Sequence, residues 1–221
     1  MKTHLFLVRH GETDYNNAGI VQGRGVDIDL NDTGRAQAAA LAERFASESI
    51  DAVCGSPLRR ARQTAAAVAE RCGRPILPPD PDLEEMSWGI LEGEPLSEEV
   101  LAAFAEMKTE WSQGNFDFGV EGGESVNTVA RRGLAAVERI VAAEAGKRVV
   151  VIAHGRFLRI ILGALLEEYG LERMEELGHA NTCVNHLIHD SETGRYEARL
   201  LNCTAHLAGL EGDGGSAVGG L

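Results

Sequence analysis

The stretch LFLVRHGETDYN, residues 5–16, decides how the rest of the chain is read. A short apolar run, Leu5–Val8, ends abruptly on Arg9, His10, Gly11 and Glu12. A run of this length closed by glycine reads as a buried strand. A strand that needed only to stop could do so with Asn, Asp or Pro. This one stops on a cation, an imidazole and a glycine, groups that bind anions and move protons.

Outward from that stretch, similar short runs bounded by Gly or Pro recur as IDAVCG (50–55), RPILP (74–78) and KRVVVIAHG (147–155), and each reads as a strand. Helical patterns lie between them. Asn31–Ala46 opens on the cap-type residues Asn31, Asp32 and Thr33. Ser56–Arg71 opens on Ser56 as a cap with Pro57 at the first helical position. In Ser125–Ala145 the residues Val126, Val129, Ala130, Leu134, Val137 and Val141 recur at helical spacing, and a further helix runs from Arg156 to Glu168. Strand–helix alternation predicts an α/β three-layer sandwich with a largely parallel central sheet. TCVNHLIHD and RYEARLLNC, flanking SETG, read as a hairpin added to that sheet. Residues 94–122 interrupt the alternation with one amphipathic helix, as either a lid over a site or a long crossover. Residues 1–207 are expected to form one domain, and the Gly-rich residues 208–221 a flexible tail.

Bulk properties narrow the function. The chain has 221 residues, 44% hydrophobic and 25% charged, an ordinary globular composition with room for one sizeable core. No apolar run approaches the ~18 residues of a membrane span, and Arg9 comes too early for a signal peptide, so a soluble, cytoplasmic protein is expected. Cys54, Cys72, Cys183 and Cys203 form no CxxC pair and read as buried small hydrophobes. The net charge of −13 argues against nucleic acid as a partner. An anionic small substrate would have to meet a local cluster of cations.

Ligands of open α/β sheets bind at the carboxyl ends of parallel strands. Two such ends carry imidazoles: FLVRHG delivers Arg9 and His10, and VVIAHG delivers His154. A third runs into SPLRRARQTA, with Arg59, Arg60 and Arg62, of which helical spacing lets one face the site. Guanidinium forks match phosphate oxygens, a neutral imidazole can attack phosphorus, and nearby arginines favour that neutral form. The leaving oxygen then needs a proton, for which Glu84 and Glu85 in DLEEMSWGILEG are the candidates. No HExxH-type set suggests a metal. Glu12 reads as a structural hydrogen-bond partner, and His4, His186 and His189 as non-catalytic. His179 and His206 are candidates for the mouth of the site, and Trp88 and Trp111 for substrate contact or packing.

In order, RHGETDYN, VQGRGVDIDLNDTGRAQA, SPLRRARQTA, LEEMSWGILEG, EGGES, AHGRFLRI and NTCVNHL resemble the histidine phosphatase, or phosphoglycerate mutase-like, superfamily over about residues 4–205. The resemblance implies His10 as nucleophile, Arg9 and Asn16 as phosphate ligands, and Arg60 as the arginine of its motif. It further implies Glu85 as proton donor, His154 as the second histidine, and Gln22 and Asn181 as substrate contacts. Arg9, Arg60 and the two histidines already supply the positive charge a phosphoryl group needs, so no metal and no cofactor is expected. Only 68 residues separate Glu85 from His154, fewer than in classical phosphoglycerate mutases, which resembles the phosphatase branch. The expected reaction is hydrolysis of a small phosphomonoester: a sugar phosphate, a phosphoglycerate derivative or a cobalamin-pathway nucleotide phosphate. The alternatives are a mutase and a catalytically inactive phosphate-binding protein. A rival motif, Cys54-x5-Arg60, has the spacing of cysteine-dependent phosphatases, but Pro57 removes an N–H from its loop and Cys54 ends a buried strand.

Overall fold

A computed structural model describes residues 1–210; the rest of the Gly-rich tail lies outside the described residues. Residues 208–210 continue the single 3-10 turn Ala205–Leu207.

The apolar run at the N-terminus is the hub of a five-stranded sheet. β1 (Lys2–Arg9) pairs in parallel with β3 (Arg148–Ala153), which pairs in parallel with β2 (Ala52–Gly55). On its other side β1 pairs antiparallel with β4 (Val184–Asp190), the first strand of a hairpin completed by β5 (Arg195–Cys203). The order β2-β3-β1-β4-β5 makes the sheet mixed, a parallel half extended by the hairpin. RPILP is not a strand of it. Ile76 makes a single parallel bridge to Val53, and Pro75 and Pro78 beside it lack the N–H groups that a longer ladder would use.

Alternation along the buried strands sorts side chains to two faces. Phe6, Val8, Val150 and Ile152 face α2 (Asp32–Ala46) and α3 (Arg59–Cys72). Leu5, Leu7, Val149 and Val151 face α4 (Glu98–Ser112), α5 (Val126–Ala143) and α6 (Gly155–Leu165). The helix-sheet-helix layering follows from that pattern. The short helix Asp14–Ala18 precedes α2 and is designated α1; its Thr13 and Asn16 form a capping box.

Two helix starts differ in how they are capped. Asn31 caps α2 through Gly34 N–H as its residue type suggests. α3 begins two residues later than expected, at Arg59 after an extended Leu58, and the cap is remote: Arg59 N–H donates to the Asp27 carboxylate at 2.6 Å. Ser56 instead accepts from Leu58 N–H at 3.3 Å.

α2 packs its first turn directly on the backbone after His10. A Cβ at Gly34 would lie 2.0 Å from the Glu12 carbonyl oxygen. Ordinary helix propensity favours Ala over Gly by up to ~1 kcal/mol, whereas overpacking against backbone costs ~1–3 kcal/mol or more. Gly34→Ala should therefore destabilise the protein, with a lower urea midpoint and no change in the slope; a raised midpoint would contradict this packing.

Candidate active site

The register of the parallel strands assembles the site. Arg9 pairs with Ala153, so the next residues, His10 and His154, leave adjacent strand ends. Their ring centroids are 5.1 Å apart. A cavity of about 220 Å³ opens here. Arg9, His10, Asn16, Gln22, Arg60 and Glu85 line its polar side. Its apolar wall includes Ile20, Trp88, Leu96, Leu101 and Phe104. Three of the last four belong to the segment 94–122, whose helix α4 buries Phe104, Met107 and Trp111 in the core cluster. Trp88 meets Phe104 edge to face at 4.9 Å, whereas Trp111 donates to the Phe118 carbonyl.

His10 is 3% exposed, and its Nδ1 lies 2.7 Å from the Gly11 carbonyl oxygen. A carbonyl only accepts, so Nδ1 carries the proton and Nε2 keeps its lone pair. Burial, then the charges of Arg60 and Arg9, hold the imidazole well below its ordinary pKa and therefore neutral. His154 is wholly buried, lowered by burial and by Arg60, and is not among the cavity-lining residues.

Arg60 is wholly buried, while Arg59 and Arg62 are exposed. Its Nη1 donates to the Val26 carbonyl at 2.6 Å and its Nη2 to that of Gly23 at 3.3 Å. Arg9 Nη1 donates to the His179 carbonyl at 2.8 Å. Among the described residues neither arginine has an ion-pair partner. Burial lowers both, Arg60 to about 10, which leaves both charged at neutral pH. Gly155 allows Arg9 and His179 to approach: a Cβ there would lie 2.6 Å from His179 Cδ2 and 3.3 Å from Arg9 Nε.

Glu85 sits at the N-terminus of α6. Its Oε1 accepts from Met86 and Phe157 N–H at 2.8 Å each, and its Oε2 from Arg156 N–H at 3.1 Å. Arg132 clamps the same loop, donating to the carbonyls of Asp82, Glu84 and Glu85 while Glu124 of EGGES holds its other edge. Burial opposes the Glu124 carboxylate, but Arg132 overrules it and holds its pKa below the usual range. Glu84 turns away to pair with Arg24 at 2.6 Å.

The remaining expectations about site residues meet specific geometry. Asn16 Oδ1 is occupied by Thr13 and by Asn181 Nδ2, which also donates to the His10 carbonyl. Asn181 is outside the cavity lining. Gln22 Oε1 accepts from Thr13 Oγ1, and its Nε2 is buried without an acceptor. Glu12 accepts from Asn31, and His206 meets the Thr182 hydroxyl rather than the cavity. Cys54 is buried outside the cavity lining and burial pushes its thiol up to about 12, so the cysteine route has no thiolate to use. Sequence reasoning missed Arg156, a cavity residue; its position directly after the second HG was the available signal.

Among the described residues, apart from Arg148 Nε and His189 Nδ1, every buried side-chain nitrogen without a partner belongs to Arg9, Gln22, Arg60, His154 or Arg156. Each orphan donor costs ~1–3 kcal/mol, and native proteins keep such groups few. Four of these five, Arg9, Gln22, Arg60 and Arg156, line the same cavity, and donors gathered there suit a ligand with several acceptor oxygens.

The family model of the histidine phosphatase superfamily (branch 1) matches residues 5–204. The chain belongs to this superfamily. It is 40% identical to a metal-independent phosphoserine phosphatase of Arabidopsis thaliana over 166 residues, 72% of this chain and 67% of that protein. It is 36% identical over 157 residues to phosphoglycerate mutase-like protein 4 of the same plant, 70% and 67% of the two chains. The native structure of a mycobacterial glucosyl-3-phosphoglycerate phosphatase superposes with a TM-score of 0.78 at 30% identity, covering 92% of this chain and all of that one. No helix among the described residues is long and apolar enough to cross a membrane.

The buried neutral histidines of this superfamily member make stability depend on pH. Burial is the leading cause that lowers His10, His154 and His179 below 6.5. Below pH 6.5 the unfolded chain binds protons at these positions and the folded one does not, so stability falls as pH falls. Each fully displaced proton contributes ~1.4 kcal/mol per pH unit. In phosphate-free buffers the melting temperature should therefore drop steadily from pH 6.5 to pH 5, above the range of ordinary carboxylates. A flat profile would show that these imidazoles charge in the folded state.

Proposed function

We propose that this chain hydrolyses a small phosphomonoester through a phosphohistidine. The observation that carries this reading is the cluster of partnerless buried donors around a neutral His10 whose Nε2 lone pair is free. Phosphoryl oxygens would take the open donors of Arg9, Arg60, Gln22 and His154. Nε2 of His10 attacks phosphorus and the N–P bond forms as the bond to the leaving oxygen breaks. Glu85 Oε2, which receives one N–H where Oε1 receives two, holds the proton that goes to that oxygen. Water then attacks phosphorus, Glu85 takes its proton, the N–P bond breaks, and phosphate leaves with His10 restored. Asn181 acts indirectly, by fixing Asn16 and the His10 carbonyl.

Relatives named as phosphatases support water as the acceptor, and one named as mutase-like keeps a second hydroxyl as the alternative. A screen of phosphorylated metabolites that reads both released phosphate and isomerised product separates the two. Phosphate release without isomer is expected, and it should survive EDTA because Arg9 and Arg60 already supply the positive charge. Isomer without phosphate would make the chain a mutase. Loss on chelation restored by magnesium would move it to a metal-assisted class.

A further inference from the structure

Arg156 is the residue of the cavity that the phosphoryl chemistry leaves unused. Its side chain is 1% exposed, yet it lines the cavity beside Trp88. Its Nη1 pairs with Glu175. Its guanidinium carbon lies 5.8 Å from the ring centre of Trp88 and 5.3 Å from that of Trp111. The indoles stabilise the charge, but neither is a conventional acceptor, and Nε and Nη2 have no hydrogen-bond partner. Those two atoms form one edge of the guanidinium, with parallel N–H bonds in the spacing of a carboxylate's two oxygens.

Glu175 meets Arg156, Arg159 and, at 3.9 Å, Lys108, so it holds the far side of Arg156 within a group of cations. The place is close to the phosphoryl cradle: a Cβ at Gly155, the residue before Arg156, would lie 3.3 Å from Arg9 Nε. Arg156 lines the same cavity as Arg9, His10 and Arg60, so a second anion that reaches it would lie within a few bonds of the phosphate.

We propose that the Nε–Nη2 edge of Arg156 binds a carboxylate on the substrate, so that the chain selects phosphomonoesters of small hydroxy acids or hydroxyamino acids over neutral alkyl phosphates. This rests on the reading of the cavity as a phosphomonoester site. It makes Arg156 a specificity residue set one step from the chemistry, with Trp88 and Trp111 holding the guanidinium flat and Glu175 fixing its far side.

Calorimetry on the His10→Ala protein separates binding from turnover. The probes are 3-phosphoglycerate, glycerol 3-phosphate, which replaces the carboxylate with a neutral CH₂OH, and 1,3-propanediol bisphosphate. A charge-assisted pair should make 3-phosphoglycerate bind about 10- to 100-fold tighter than glycerol 3-phosphate. Equal affinities overturn the proposal without any further variant. Tighter binding of the bisphosphate than of 3-phosphoglycerate overturns the choice of carboxylate. Arg156→Met, made in the same background, should shrink the preference to about threefold or less. Because that change strands Glu175, the pair Arg156→Met with Glu175→Gln is measured beside it. A preference that persists in the folded double variant puts the carboxylate elsewhere and overturns the assignment. Turnover by the unsubstituted protein tests the hydrolase reading separately. Absence of hydrolysis with the carboxylate preference intact ends that reading and supports the subsite. Hydrolysis of both monophosphates at equal kcat/KM, with equal binding, does the reverse.

Discussion

His10→Ala should lower phosphomonoester hydrolysis by about 10⁴-fold or more, since removing a covalent nucleophile takes away the reaction path rather than one of its supports. Brief incubation of the unsubstituted protein with a labelled substrate should leave an acid-labile, base-stable label, the behaviour of an N–P bond. His10→Ala should carry none. The geometry behind this is specific: the Gly11 carbonyl accepts a hydrogen bond from Nδ1–H, and burial, then Arg60 and Arg9, keep the ring neutral. Cys54→Ser should retain the label, because that thiol is buried and pushed up to about 12. Label lost with Cys54 and kept without His10 would overturn the mechanism.

The second large effect belongs to Glu85 and depends on the leaving group. An alkoxide leaves poorly without a proton, and a positioned donor is worth ~10²–10⁴ in rate. The p-nitrophenolate ion leaves without that help. Glu85→Gln should thus impair alkyl phosphate hydrolysis by that factor and p-nitrophenyl phosphate hydrolysis far less. Glu84→Gln should change both little, since its carboxylate pairs with Arg24 instead. Equal losses on both substrates for Glu85→Gln would mean that the residue only shapes the site. A leaving-group effect at Glu84 would mean that the wrong neighbour has been chosen.

What could be read from the sequence was whatever depends on neighbours along the chain. Short, continuous apolar runs marked β1 and β3, and Asn31 is a cap that acts within one turn. The ordered motifs pointed to residues that the fold gathers around one cavity. What could not be read depends on partners far away. The start of α3 is set by Asp27, which no local pattern announces, so Ser56 and Pro57 suggested too early a helix. RPILP has strand composition, but its prolines reduce it to one bridge. The segment 94–122 looked equally like a lid or a crossover until α4 was seen to bury Phe104 and Trp111 while Leu96 and Leu101 line the cavity. The place of Asn181 among the motifs suggests a substrate contact, but no local pattern announces that its amide donates to the His10 carbonyl and to Asn16.

The central position of β1 has a cost during synthesis. Its residues Leu5–Val8 are at most 2% exposed in the finished fold, and both their sheet neighbours come late. Arg148, the first residue of β3, is made 144 residues after His4, with which it pairs. At ~5–20 residues per second a ribosome needs roughly 7–30 s to close that gap. For that time an apolar edge with open N–H and C=O groups is available to any other chain. Overproduction should therefore favour aggregation of nascent chains, and weaker induction at unchanged temperature, which puts fewer exposed chains together, should raise the soluble yield without altering the stability of the protein once folded.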